Sequence, residues 1–323
     1  MKKVFILLSL LTVMIFSCGN EGKQGEKVSG TKEEKKKFRI GITQIVAHPA
    51  LDNAREGFKE ALKEAGIEVE YDEKNANGEV ATANLIANTL VSSKPDMIYA
   101  IATPTAQAAA QATNDIPIVF SAITDPESAG IVKENVTGVS DRVNIKQQLE
   151  LLIKLDPKIK KVGVIYNSSE QNSIVQVNDL KKAAGELNLE IVERSITQAN
   201  EIPQATEALI ASSDAIYLPT DNLVASVVNL ITEKATGAKK IVFGAEAAHV
   251  NGGALITQGI DYYELGKEAG KTAVEILNGK KASEIKFKTM ELNDIVVNSN
   301  TLKVLGINLP EDIKSKVKFV DSK

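Results

Sequence analysis

The sequence predicts an α/β protein made of two similar lobes, each a doubly wound parallel sheet, joined by a hinge of three crossings. Three observations carry this. From Phe38 onward, short β-branched runs alternate with segments of helical period, as parallel strands covered by helices on both faces require. The plan is then written twice. Arg39-Ile40-Gly41-Ile42 parallels Lys161-Val162-Gly163-Val164, Asp96-Met97-Ile98-Tyr99 parallels Asp214-Ala215-Ile216-Tyr217, and Pro117-Ile118-Val119-Phe120 parallels Lys240-Ile241-Val242-Phe243, at offsets of 122, 118 and 123 residues. The C-terminal stretch fits neither copy alone and reads as further passages between them. One large sheet of about ten strands is the alternative; two lobes are preferred because units this long each support a core of their own.

In the first copy, residues 38–43 read as a strand. Leu51, Ala54, Phe58, Ala61, Leu62 and Ala65 form a helical stripe closed by Gly66. Residues 67–71 alternate as a half-buried strand, and 79–91 carry Val80, Ala83, Ile86, Ala87 and Leu90 on one helical face. Residues 96–102 read as a buried strand, followed by a helix entered at Thr103-Pro104, and 116–121 as another strand. Residues 135–140 are a short extended run, and 144–155 a helix with Leu149, Leu152 and Ile153 on one face.

The second copy gives strands at 161–166, 189–194, 214–218 and 240–244, with helices at 170–187, at 202–211 and from Thr220. Beyond it, 253–259 is strand-like, 261–277 a long helix stopped by Asn278-Gly279, 289–297 extended, and 301–305 a last helix. Residues 259–261 and 289–297 read as the second and third crossings, so that few residues absorb the hinge rotation. The resulting division is 38–143 plus 262–288 for the N-terminal lobe and 144–261 plus 289–323 for the C-terminal lobe.

The N-terminus has its own logic. Lys2 and Lys3 precede an apolar run from Val4 to Phe16 that ends at Ser17-Cys18, too short for a spanning helix and ordered like a secretory signal over residues 1–17. Cys18, the only cysteine, stands where the cut is expected, which resembles a bacterial lipoprotein signal and implies a lipidated Cys18. An ordinary signal peptide with an incidental cysteine is the alternative. Residues 19–37 hold Val28 as their only clearly apolar residue, so 18–37 reads as the lipidated cysteine and a flexible tether.

Composition narrows function. The chain of 323 residues is 43% apolar and 25% charged, ordinary for a globular protein, and its net charge of −4 argues against nucleic acid as a partner. The body lacks cysteine, and His48 and His249 are its only imidazoles, so neither a metal site nor a cofactor is expected. No nucleophile elbow, P-loop or H-E-x-x-H motif is present.

Candidate ligand contacts cluster at strand ends. Thr103, Ser168 with Ser169, and Thr220 each begin a helix directly after a buried strand, where free N–H groups and the helix dipole favour an anion. Each taken singly is more simply explained as a plain cap, and it is their convergence at sheet ends that marks a site. Asp125, Asp221, Glu246 and Asp261 stand at comparable ends, and a cleft holding buried carboxylates suits an ammonium. Asp221 and Glu246 are preferred, since Asp125 fits a turn before Pro126 and Asp261 a helix cap. Gln44 and His48 follow the first strand and are placed to hydrogen-bond or stack on a ligand.

These residues together resemble the substrate-binding lipoproteins of ABC importers, periplasmic binding proteins of type I, and within them the tryptophan and aromatic amino-acid branch. The resemblance spans Phe38 to Leu309. It is carried by Gly41-Ile42-Thr43-Gln44, His48-Pro49-Ala50-Leu51-Asp52, Ala102-Thr103-Pro104, Thr124-Asp125-Pro126 and Asn135-Val136-Thr137-Gly138-Val139-Ser140-Asp141, and in the second copy by Tyr166-Asn167-Ser168-Ser169-Glu170, Pro219-Thr220-Asp221-Asn222 and Gly259-Ile260-Asp261-Tyr262. It implies a monomeric, exported lipoprotein facing the periplasm or cell exterior. Such a protein traps a free amino acid by hinge closure and hands it to membrane permease subunits, without catalysis. Thr103, Ser168 and Ser169 would hold the ligand carboxylate, Asp221 and Glu246 would face the ammonium, and Gln44, Thr124 and Asn222 would complete the polar shell. His48, Pro104 and Phe120 would wall the ring. A branched-chain amino acid, nucleoside or sugar on the same fold, or a secreted enzyme using paired carboxylates, remain the alternatives.

Overall fold

The computed structural model describes residues 36–291 and 294–321; the signal segment, Cys18 and nearly all of the tether lie outside the described residues. The first half contains β1 (Phe38–Gln44), α1 (Pro49–Glu64), β2 (Val69–Asn75), α2 (Val80–Ser92), β3 (Met97–Ile101), α3 (Thr103–Ala112), β4 (Ile118–Ile123) and β5 (Val136–Ser140). The second half runs from α4 (Ile145–Leu155) through β6 (Lys161–Asn167), α5 (Gln171–Glu186), β7 (Glu190–Ile196), α6 (Ile202–Ser212) and β8 (Ala215–Leu218). It continues with α7 (Asn222–Ala225), α8 (Val228–Gly237), β9 (Ile241–Gly244), α9 (Ala247–Asn251) and β10 (Ile256–Gly259).

The chain then returns. α10 (Tyr262–Leu277) packs along α1, and β11 (Lys288–Thr289) pairs with β5. β12 (Asp294–Asn298) crosses back to lie antiparallel to β10, followed by α11 (Ser299–Leu305), α12 (Glu311–Lys314) and β13 (Val317–Val320).

Two sheets result. One has the order β11-β5-β4-β3-β1-β2 and is parallel throughout. The other has the order β13-β12-β10-β9-β8-β6-β7 and is parallel except at β10–β12. Five strands of each half thus share one order, the duplication visible in the sequence. Three passages of chain join the sheets, after β5, after β10 and after β11.

Local chemistry explains the elements. β3 (MIYAI) and β8 (AIYL) are buried at every position, as strands covered on both faces must be. α1 begins with Pro49 in its first turn, where the missing N–H is harmless, and buries Leu51, Ala54, Phe58 and Leu62. α1 and α10 approach so closely that a Cβ on Gly57 would stand 2.0 Å from Tyr263 O, and one on Gly266 2.0 Å from Ala54 O. The stacked Phe58 and Tyr99 rings, 3.8 Å apart, fill the space between α1 and β3.

Four expectations change. The helix after β8 is two helices, α7 and α8, because Ser226 and Val227 break the ladder between them. α5 begins at Gln171, after Ser168 and Ser169, so these serines do not start it. Thr103 is inside the first turn of α3, with Ala102 at the cap position. Residues 301–305 are not the last element, because Val317–Val320 still adds an edge strand beside β12.

Candidate functional site

The order 2-1-3-4-5 reverses between β1 and β3, and between β6 and β8 in the second half, and crevices open beyond strand carboxyl ends at such points. In the first half the crevice is flanked by His48 and Thr103, and in the second by Glu170 and Thr220–Asn222. These loops meet across the two halves. His48 Nε2 lies 3.5 Å from Asn222 Oδ1, and Thr124 Oγ1 lies 3.4 Å from Thr220 Oγ1. Between them is a small, partly enclosed space of about 10 Å³, walled by Leu51, Ala122 and Ala225 and edged by Asp141, Glu246 and Tyr262. A larger groove of about 280 Å³, open to solvent, is lined by Asp261, Glu264, Met290 and Lys318. Its charged groups, Asp261, Glu264, Glu291 and Lys318, are exposed to solvent.

Three buried carboxyl residues, Asp141, Asp221 and Glu246, line this space and a fourth, Glu170, is buried beside Asp221; no Lys or Arg is among the buried residues described. Glu246 is 2% exposed, and burial pushes its pKa up to about 8, with Asp141 adding repulsion. Asp141 is likewise raised by burial, although Tyr262 Oη donates to its Oδ2 at 2.6 Å and Thr124 Oγ1 to its Oδ1 at 3.2 Å. Glu170 is raised to about 7 by burial and by neighbouring Asp221, itself raised by burial. The two histidines are held neutral. Burial lowers His48 to about 4 and His249 to about 3. His249 Nε2 lies 3.3 Å from Glu246 Oε1 without the alignment of a hydrogen bond.

The residues anticipated from sequence divide into two sets. His48, Thr124, Asn222 and Glu246 converge on the interlobe space. Thr103 is 1% exposed at the start of α3. Asp221 also borders the space, but its carboxylate already accepts from Asn167 N (2.6 Å), Ser173 Oγ (2.6 Å) and Val224 N (2.8 Å). Gln44 is buried within the first half, donating to Val46 O and Asp52 and accepting from Arg55. Ser168 and Ser169 are exposed, and Asp261 caps α10 through Tyr263 N and Glu264 N. Phe120 belongs to the core of the first half, near Phe287.

Sequence reasoning passed over Asp141, Glu170, Gln176 and Tyr262 as site residues. The available signal was position: Asp141 and Tyr262 stand at two of the three passages between the halves. Buried polar atoms without a partner mark the same region, namely His48 Nδ1, Thr103 Oγ1, Asn172 Oδ1 and Glu246 Oε1. Such atoms cost free energy unless something else satisfies them. Strain gathers there too. Ala102 (φ 83°) and Ala122 (φ 58°) are left-handed at the ends of β3 and β4, and β4 bulges between Phe120 and Ile123. The arrangement is suited to enclosing a small cation-bearing solute.

Comparisons with known proteins agree with this geometry. Residues 39–320 match the family of ABC transporter substrate binding proteins. The chain is 42% identical to a tyrosine-binding protein of Clostridioides difficile, over 95% of this chain and 93% of that one. Among solved structures, an ABC domain from Streptococcus pneumonia in complex with L-Trp is 34% identical, with a TM-score of 0.84 over 88% of this chain and all of that one. A ligand-free, open substrate-binding protein with adhesive properties from Clostridium difficile is 44% identical, yet its TM-score is only 0.67 over the same share of this chain and all of its own. The chain thus superposes better on the L-Trp complex than on the ligand-free, open structure, despite its greater identity to the latter.

Proposed function

The chain belongs to the ABC transporter substrate binding protein family, and from that premise we propose that it captures a free aromatic amino acid, tyrosine or tryptophan, between its lobes and presents it to a permease. Members of this family are extracytoplasmic components that bind a solute and pass it to membrane subunits. The observation that supports the amino-acid reading is the set of buried carboxyls without a buried cation among the described residues. A buried carboxylate is costly unless paired, and an ammonium ligand supplies the missing charge. Glu246, with Oε1 unpartnered, is its proposed partner. Thr103, its hydroxyl unpartnered at the start of α3, is the proposed contact for the ligand carboxylate, aided by the helix dipole. Similarity to a tyrosine-binding protein and to an ABC domain in complex with L-Trp favours an aromatic side chain.

The lobes are taken as 38–143 plus 262–288 and 144–261 plus 289–323, closing about the three passages. The protein is further proposed to act as a monomer, to carry lipid on Cys18 and to catalyse no reaction. Cys18→Ser should release the protein from the membrane fraction and abolish incorporation of labelled fatty acid.

Calorimetry against tyrosine, tryptophan, phenylalanine, leucine, a nucleoside and a sugar tests the ligand. Binding of an aromatic amino acid recovered unchanged, with no heat from N-acetyltyrosine, is the expected result. Equal binding of N-acetyltyrosine would remove the ammonium from the argument. Preference for leucine, the nucleoside or the sugar would remove the aromatic assignment.

A further inference from the structure

One buried side chain spans the two halves without edging the enclosed space. Gln176, on α5 of the second half, is 1% exposed. Its Oε1 accepts from Thr220 N at 3.0 Å, and its Nε2 donates to Thr220 Oγ1 and, at 3.1 Å, to Thr124 Oγ1 just beyond β4 of the first half. Thr124 passes the chain of donors on to Asp141 at the first passage between the halves. Gln176 is absent from the walls of the space, whereas Thr220, Asp141, His48 and Asn222 border it.

We propose that Gln176 is a positioning residue, a latch that sets the fraction of closed protein before ligand arrives and touches no ligand itself. The inference rests on the reading that the chain closes upon an amino acid. Other bridges between the halves are weaker candidates. The His48–Asn222 contact is longer, at 3.5 Å, and borders the ligand space. Arg142 joins Asp125 and Asp179 in exposed ion pairs, which water and salt screen. The Gln176 bonds are shielded, and opening the halves separates its amide from Thr124. A ligand binding only the closed form is weakened by any loss of closed population.

The test uses the full chain, with small-angle X-ray scattering for closure and calorimetry for affinity. Gln176→Leu should enlarge the ligand-free protein, while saturating tyrosine returns it to the wild-type dimensions. Affinity should fall about three- to tenfold, the effect of one net hydrogen bond, and fall equally for tyrosine, tryptophan and phenylalanine. Unchanged ligand-free dimensions would overturn the latch. So would altered preference among the three amino acids, which would make Gln176 a ligand contact. Because Gln176→Leu also unpairs Thr220 N, Thr124→Val provides a second variant. The double variant should open no further than either single one, and additive opening would refute a shared bond. If wild-type protein binds none of the amino acids, the functional reading fails, while ligand-free scattering still decides the latch.

Discussion

The Tyr262 hydroxyl donates to Asp141 Oδ2 at 2.6 Å, tying together two of the three passages between the halves. The same hydroxyl stands beside Glu246. Its single proton goes to Asp141, so toward Glu246 it is an acceptor, and a protonated Glu246 is its natural donor. This explains how two carboxyls share a water-poor space with no cation: one ionised group is bonded and the other keeps its proton.

Tyr262→Phe removes that arrangement. The ionised Asp141 loses a donor while buried, so urea unfolding should show about 1–3 kcal/mol less stability at pH 8. The deficit should shrink as pH is lowered from 8 to 5, since burial raises Asp141 and favours its protonated form. A deficit that is the same at both pH values would show that the hydroxyl does not serve an ionised Asp141.

Glu246 gives the pH dependence its sign. Its folded pKa, about 8, lies above the unfolded value of about 4.5, so the folded protein holds a proton that the unfolded chain has lost. Ligand-free stability should therefore be fully present below pH 4.5, as far as this group is concerned, and fall as pH rises toward 8. Glu170, raised to about 7, acts in the same direction, as do Asp141 and Asp221, both raised by burial. Glu246→Gln removes the Glu246 share, so the decline between pH 7 and 8 should be shallower than in wild type in a thermal melt. An ammonium at this site replaces the proton, so tyrosine affinity should rise from pH 6 to 8 in wild type and not in Glu246→Gln. Calorimetry in two buffers of different ionisation enthalpy should detect the released proton.

Much of the fold was legible because it is periodic. The repeated KVGV-like and DAIY-like strands each sit in a continuous apolar run, and their duplication carried the two-sheet architecture. Terminal pieces were less legible. Val317–Val320 is a short, half-exposed edge strand whose partner β12 is distant from β10 in sequence, so no local pattern announces it. At the site, Glu246 and Asn222 were visible as polar residues just past strand ends. Gln176 was not, since it lies in the middle of a helix and acts through a half that the sequence does not place beside it. Ser168 and Ser169 carry the residue types of helix caps, yet the turn Asn167–Glu170 places them in solvent.

Asp221 separates framework from ligand contact. Its three protein donors hold the β6 end, α5 and α7 together. Asp221→Asn turns one acceptor into a donor facing N–H groups, so it should lower the melting temperature by several degrees, as loss of one to two kcal/mol does in a protein of this size. Preference among tyrosine, tryptophan and phenylalanine should stay as in wild type. A shift in that preference at unchanged stability would instead place Asp221 against the ligand.

The α1–α10 crossing links packing to the cleft, because α1 begins beside His48 and α10 begins at Tyr262. A methyl group on Gly57 would stand 2.0 Å from Tyr263 O, a backbone atom that only a shift of the whole helix can move. Gly57→Ala should cost about 1–3 kcal/mol in urea unfolding and weaken tyrosine binding, since moving α10 displaces Tyr262 from Asp141. Gly185→Ala is the contrast. Gly185 lies in α5 with nothing within 4 Å of an added Cβ. That substitution should stabilise the protein by about 0.4–1 kcal/mol through the unfolded chain alone and leave binding unchanged. Equal effects of the two substitutions would mean that the glycine-lined crossing does not position Tyr262.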